Sequence, residues 1–217
     1  MGAHSELVKH DMFDRLKQRK LLPGDPADEK DMQKRLSISG TPMREALIDL
    51  EAQGVIERRR RGGAVIAELD LESLLKLSEI LAHMDGSLGA LASQRITPRQ
   101  AKILEDKALA SVDFATGLRS ESYHDINFAF HFAVAQAAGN ELLTEHTIRF
   151  ARRLLPYISV RQELPSEQQR SAMEHMEICE AILDSNANRA RELMIHHSDF
   201  FSRSVALAVM NAVRSSS

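Results

Sequence analysis

Residues 21–66 read LLPGDPADEKDMQKRLSISGTPMREALIDLEAQGVIERRRRGGAVI, and this stretch decides the fold of the N-terminal part. Leu22-Pro23-Gly24-Asp25-Pro26 is a turn by composition, because proline and glycine both interrupt regular structure. Asp28 to Leu36 carries a short helical pattern. Ser37-Ile38-Ser39-Gly40 is a second turn. Thr41 is then the expected N-cap of a helix over 42–53, with Pro42 at the first helical position, where its missing N–H costs nothing. That helix buries Met43, Ala46, Leu47 and Leu50 at helical spacing, and Gly54 ends it. Val55 to Arg58 and Ala64 to Ala67, joined through Gly62-Gly63, read as a hairpin with a basic tip.

Working outward, residues 6–19 form a first helix with Leu7, Met12, Phe13 and Leu16 as its apolar stripe. Three short helices followed by a hairpin is the order of a winged helix-turn-helix. Residues 1–67 make this unit, and 68–70 are a brief linker, the expected hinge. From residue 71 to 217 no strand pattern is found. Helices are expected at about 71–94, 98–116, 120–138, 141–161, 166–184 and 187–213, giving a mainly α chain with an all-helical C-terminal bundle. Pro156 should kink the fourth of these or end it early.

Composition agrees with helix-on-helix packing. Hydrophobic residues make up 43% of the 217, but only 5% are aromatic and none is Trp. The net charge of −3 argues against a uniform nucleic-acid coat. Its distribution is uneven: residues 1–67 carry 13 Lys/Arg against 11 Asp/Glu, and the remainder 15 against 20. The sign suits a DNA-facing N-terminal part. The one cysteine, Cys179, excludes an intrachain disulfide, which fits a reducing cytoplasm. It sits in an apolar helical pattern and reads as core. No apolar run approaches the roughly 20 residues of a membrane span, and no secretory signal is expected.

A recognition helix presents its N-terminal residues to base edges while its other face stays packed. With Met43, Ala46 and Leu47 inward, Thr41 and Arg44 project toward the groove. Arginine pairs bidentately with a guanine edge, and a helix N-terminus holds a phosphate. Lys30 on the preceding helix reaches the backbone or a base edge. Arg58, Arg59, Arg60 and Arg61, followed by Gly62, form a wing tip that lies along phosphates or enters the minor groove. The stretch resembles the DNA-binding domain of the GntR family of repressors. That family shows a Pro-Gly-Asp turn, a Ser-Arg-Thr-Pro-Val-Arg-Glu-Ala-Leu helix start and a Gly-rich wing. The resemblance implies DNA contact by Lys30, Thr41, Arg44 and the wing around Arg61 and Gly62. The chain departs at Gly40, where the family has an arginine that commonly contacts a base.

The histidines supply a second constellation. Asn127 and His131 are four residues apart and share a helix face. His175 and His197 each lie eleven residues from the turn at Asn186, so an antiparallel helix pair sets them at one height. Three imidazoles and one amide meeting in a bundle make a metal site. The alternative for each is an ordinary core or surface histidine, as read for His4, His10, His83, His124 and His146. Residues 71–213 resemble the helical ligand-binding domain of the FadR-type branch, called FCD. Its Asp-x-x-Phe-His, Gly-Asn, Glu-His and final His appear here as Asn127-x-x-Phe130-His131, Gly139-Asn140, Glu174-His175 and His197. The resemblance implies a divalent metal, zinc, nickel or manganese, with a small carboxylate effector on or near it. Asn127 replaces the family's Asp and removes its negative charge, which is expected to favour an anionic effector and weaken the metal. Arg149 and Arg152, with Arg153, are candidate holders of an acid, or else surface charges.

These features point to a DNA-binding transcription regulator rather than an enzyme. The resemblance adds repression, a homodimer, and a palindromic operator. The rival reading is a helical-bundle metalloenzyme with an appended nucleic-acid-binding module. It lacks a good general base: Glu174 is expected on the other side of its helix from His175.

Overall fold

The computed structural model describes residues 2–59, 63–199 and 201–214. The head begins with α1 (Ala3–Lys17), α2 (Glu29–Leu36) and α3 (Gly40–Ala52) and ends in the antiparallel strands β1 (Ile56–Arg59) and β2 (Gly63–Ile66). In α1 the buried stripe is Val8, Met12, Phe13 and Leu16. Leu7, expected in that stripe, is 40% exposed, because Val8 has the helical phase that faces α3. Asp28 caps α2 by accepting from the backbone N–H groups of Lys30 and Asp31 at 2.9 and 3.0 Å. The start of α3 also differs from expectation. The helix opens at Gly40 with Ser39 in the cap position, so Thr41 lies inside the first turn. Pro42 still breaks no bond, since the first turn's N–H groups have no intrahelical partner.

At the other end of α3, Gly54 has φ +72° and Val55 N–H bonds back to the Leu50 carbonyl at 2.9 Å. The Pro-Gly-Asp turn docks against β2. Gly24 N–H reaches the Ile66 carbonyl and Ala27 N–H the Ala64 carbonyl, each at 2.9 Å. Gly24 is required there, with φ +90°. Met12, Leu16, Met32, Met43, Leu47 and Leu50 fill the core between these elements. Arg60, Arg61 and Gly62 lie outside the described residues.

The helical unit contains α4 (Leu71–Arg95), α5 (Pro98–Ala115), α6 (Tyr123–Ala138), α7 (Glu141–Gln162), α8 (Pro165–Leu183), α9 (Ala187–Ser198) and α10 (Arg203–Arg214). Thr97 and Gln100 make a capping box at α5, with Pro98 at the first helical position. Asn140 and Asn186 cap α7 and α9 through their side chains. The expected helix over 187–213 is two helices, broken after Ser198. Phe201, 4% exposed, turns into the core at that break. Pro156 does not end α7, which runs on to Gln162. It removes the donor that would meet the Arg152 carbonyl.

α4 spans two apolar cores. One contains Leu88, Leu104, Phe130, Val134, Ile178 and Ile182 from α4, α5, α6 and α8, and encloses Cys179. The other joins Leu74, Leu81, Leu154, Tyr157 and Met210 from α4, α7 and α10 to Leu22 and Leu69 from the N-terminal side. The expected hinge segment is anchored: Leu69 is buried, and its N–H donates to the Tyr157 hydroxyl oxygen at 2.9 Å. α9 packs tightly on α4 at Gly86 and Gly89. A Cβ on Gly86 would come within 3.0 Å of the Arg191 carbonyl oxygen, and one on Gly89 within 3.1 Å of that of Ala190. No helix among the described residues is long and apolar enough to cross a membrane.

Candidate DNA interface and histidine centre

On α3 the inward positions Met43, Ala46 and Leu47 are buried, which turns Thr41 and Arg44 outward, both exposed. Lys30 is exposed in the first turn of α2. Arg58 and Arg59 are exposed on β1 and alternate in direction along the strand. Arg58 folds back onto α3, its Nε 2.9 Å from Glu51 Oε2. Among the described residues Lys30, Arg44 and Arg59 carry no ion pair, so their charges face solvent. A Cβ at Gly40 would lie 3.7 Å from Gln33 Nε2, an ordinary contact, so the arginine of the resemblance would fit there.

The three histidines named from spacing converge from three helices, His131 on α6, His175 on α8 and His197 on α9. His131 Nε2 is 3.1 Å and His175 Nε2 3.2 Å from His197 Nε2. All three ligand atoms lie within 4.8 Å of one another. A metal–imidazole bond of about 2.0–2.1 Å spans ligand pairs roughly 3.0–3.4 Å apart, which the two pairs through His197 match, so the three imidazoles could close on a divalent ion. Each Nδ1 faces a polar group. That of His175 is 2.8 Å from Ser111 Oγ, and that of His197 is 2.7 Å from Glu174 Oε2. That of His131 is 3.9 Å from Asp85 Oδ2. For His175 and His197 an acceptor on Nδ1 fixes the tautomer that presents Nε2 to the centre, whereas Asp85 lies beyond hydrogen-bond reach of His131. Phe130 stacks on His175 at 3.9 Å between centroids.

Burial and the neighbouring imidazoles hold His131 and His175 below the usual histidine value of 6.5. Both are therefore neutral, the ligating form. Burial opposes ionisation of Glu174, but His197 and Arg170 outweigh it and keep the carboxyl below its ordinary range. Burial pushes Asp85 up to about 7, against the pull of the Ser198 hydroxyl. Glu174, expected on the other side of its helix from His175, reaches the centre through His197 Nδ1.

Beside the histidines is a small pocket lined by Tyr123, Asn127, Arg161, Gln162, Arg170 and His197. Asn127 is therefore placed at the centre's edge. Arg161 and Arg170 share Glu167, at 2.7 and 2.9 Å. Neither arginine was singled out from the sequence. Arg170 was findable, lying one helical turn before Glu174. Arg149 and Arg152 are elsewhere. They sit at the seam between α7 and the head, where Arg149 donates to the Ala52 carbonyl. Arg152 Nη1 is 3.3 Å from Gln53 Oε1 and its guanidinium lies 4.5 Å over the Phe13 ring. They do not line the pocket beside the histidines.

Residues 4–66 match the family described as bacterial regulatory proteins, gntR family, and residues 76–200 match the FCD domain. The chain is 26% identical over 205 residues to the HTH-type transcriptional regulator LutR of Bacillus subtilis (strain 168), covering 84% of this chain and 92% of that one. It is 23% identical over 187 residues to the HTH-type transcriptional repressor RspR of Escherichia coli (strain K12), covering 85% and 81%. The solved structure of E. coli McbR/YncC superposes with a TM-score of 0.79 at 18% identity, over 99% of each chain.

Proposed function

The chain belongs to the gntR family of bacterial regulatory proteins that carry an FCD domain, and we propose that it is a repressor whose operator binding a small carboxylate controls. It is a DNA-binding transcription regulator. The rival metalloenzyme reading finds no support among its relatives, which are named as transcription regulators.

DNA contact falls to Lys30, Thr41 and Arg44, with Arg58, Arg59, Arg60, Arg61 and Gly62 on the wing. In a homodimer, two copies of α3 would enter successive major grooves of a palindromic operator, about 34 Å apart. The observation that carries effector control is the position of α7. Its last turns supply Ile158, Arg161 and Gln162 to the pocket at the histidines. Its middle supplies Arg149 and Arg152 to the end of α3, and Leu155 to the head's core. Nine residues separate Arg152 from Arg161, a rise of about 14 Å.

His131, His175 and His197 would hold a divalent ion, zinc, nickel or manganese, with Asn127 at its edge. The ion would supply a positive centre for an acid's oxygen atoms. Arg161 and Arg170 add guanidinium donors suited to the same carboxylate. Occupancy bears on α7 directly, because the pocket wall and the grip on α3 are one helix. The ligand changes DNA affinity only by its differential affinity for the two arrangements of the head. A tenfold change needs about 1.4 kcal/mol.

The test is operator selection from random duplex DNA, followed by binding titrations with a panel of small organic acids, with and without added metal. One palindrome, a steep loss of affinity with salt, and a metal-dependent shift by one acid are expected. Sequence-independent binding unaffected by any acid would overturn the reading.

A further inference from the structure

The centre contains a carboxylate outside the motifs read from the sequence. Asp85 lies on α4, 5% exposed, at the seam where Gly86 and Gly89 let α9 close against α4. Ser198 Oγ donates to Asp85 Oδ2 at 2.7 Å, and the same oxygen lies 3.9 Å from His131 Nδ1. Ser198 directly follows His197. Asp85 therefore touches the surroundings of two of the three histidines, from a helix that supplies none of them.

Among the described residues no lysine or arginine lies within ion-pair distance of Asp85. One hydroxyl donor is a poor return for taking a carboxylate out of water, and buried acids are ordinarily paired with a cation. Across the centre, Glu174 occupies the matching place on His197 Nδ1 at 2.7 Å. Two acids thus flank the imidazoles from outside, while the position beside them that the resemblance fills with aspartate is the uncharged Asn127.

We propose that Asp85, with Glu174, supplies from behind the histidines the negative charge that Asn127 no longer supplies, and that Asp85 is a positioning residue for a divalent ion at His131, His175 and His197. This rests on reading the trio as a metal centre. It reverses the expectation that loss of the aspartate leaves the ion's charge uncompensated. Carboxylates that hold ligating histidines typically change metal affinity 10–100-fold when removed.

The experiment is a zinc titration of the full chain in competition with a chromophoric chelator, alongside thermal melting of the metal-free protein. Asp85→Asn keeps an acceptor for Ser198 and removes the carboxyl group, whose charged form a bound cation favours. Its zinc affinity is expected to fall about 10–100-fold while the metal-free melting temperature holds. Ser198→Ala, which deletes the bond and keeps the charge, is expected to lose less affinity. Asn127→Asp added to Asp85→Asn should recover affinity, and should gain more there than in the wild-type background. Zinc affinity within twofold of wild type for Asp85→Asn would overturn the proposal. So would equal losses in Asp85→Asn and Ser198→Ala, which would mark a purely structural bond. Should Asp85→Asn not fold, Asn127→Asp alone decides: a gain of tenfold or less supports the proposal, and a larger gain overturns it. A wild-type chain that binds no zinc, nickel or manganese would remove the metal reading itself, a result distinct from a wild type that binds and a variant that does not change.

Discussion

In the winged head the side chains proposed to face DNA stand outside a finished apolar core, whereas in the helical unit His175 and His197 are buried within it. Arg44 is exposed above Met43 and Leu47, which pack without it. His175 is fully buried, stacked on Phe130 and bonded to Ser111. The difference has an energetic meaning. In the head, recognition and stability are separable. At the centre they share the same atoms.

Substitutions can break or sharpen that contrast. The largest effect is expected from His175→Ala, which deletes a packed ring and a proposed metal ligand together. Unfolding free energy should drop by roughly 2–5 kcal/mol in urea titration, and zinc binding should vanish. Retained stability would mean the centre is not part of the core's energy. Arg44→Ala is next. It should weaken operator binding by about 1–3 kcal/mol, read by fluorescence anisotropy, while stability stays within about 0.5 kcal/mol. A destabilised head would break the contrast from the other side.

Gly54→Ala tests where the two regions meet. The residue has φ +72°, and its new Cβ would lie 2.9 Å from Arg153 Nε. About 1–2 kcal/mol of stability should be lost, together with part of the effector's influence on DNA binding. The smallest effect concerns Asp49, which pairs with Lys9 at 2.6 Å inside the head. Burial opposes its ionisation, but Lys9 and Gln53 outweigh that and hold the carboxyl below its ordinary 3.8. A depressed carboxyl stabilises the fold above its unfolded pKa, and the gain disappears as pH falls through the folded one. The stability gap between wild type and Asp49→Asn, under about 1 kcal/mol near neutrality, should therefore close below the ordinary carboxylate value. A gap that persists in acid would assign it to packing.

The same contrast governs what could be read in the sequence. The head's signals are contiguous: Pro-Gly-Asp as a turn, the apolar spacing of Met43, Ala46, Leu47 and Leu50 as a helix, Gly54 as a stop. Only local choices were missed. Ser39 and Thr41 are both good caps, and the turn from α2 settles which one is used. The histidines were legible for a different reason, the equal spacing of His175 and His197 about Asn186. What surrounds them was not. Asp85 and Ser111 come from helices with no motif, and the break after Ser198 has neither glycine nor proline to announce it. It exists because Phe201 enters the core and Asp85 holds Ser198. Arginines near one another in sequence also looked alike. Only the fold separates Arg149 and Arg152, which grip α3, from Arg161 and Arg170 at the pocket.

Pro156 lies between those two sets. In mechanical terms α7 is a rod with one rung missing between its working ends. Bending compliance concentrates at such a point. Under the proposed control, a push at the Arg161 end would arrive at Arg152 as a change of direction rather than of length, and direction is what would aim α3.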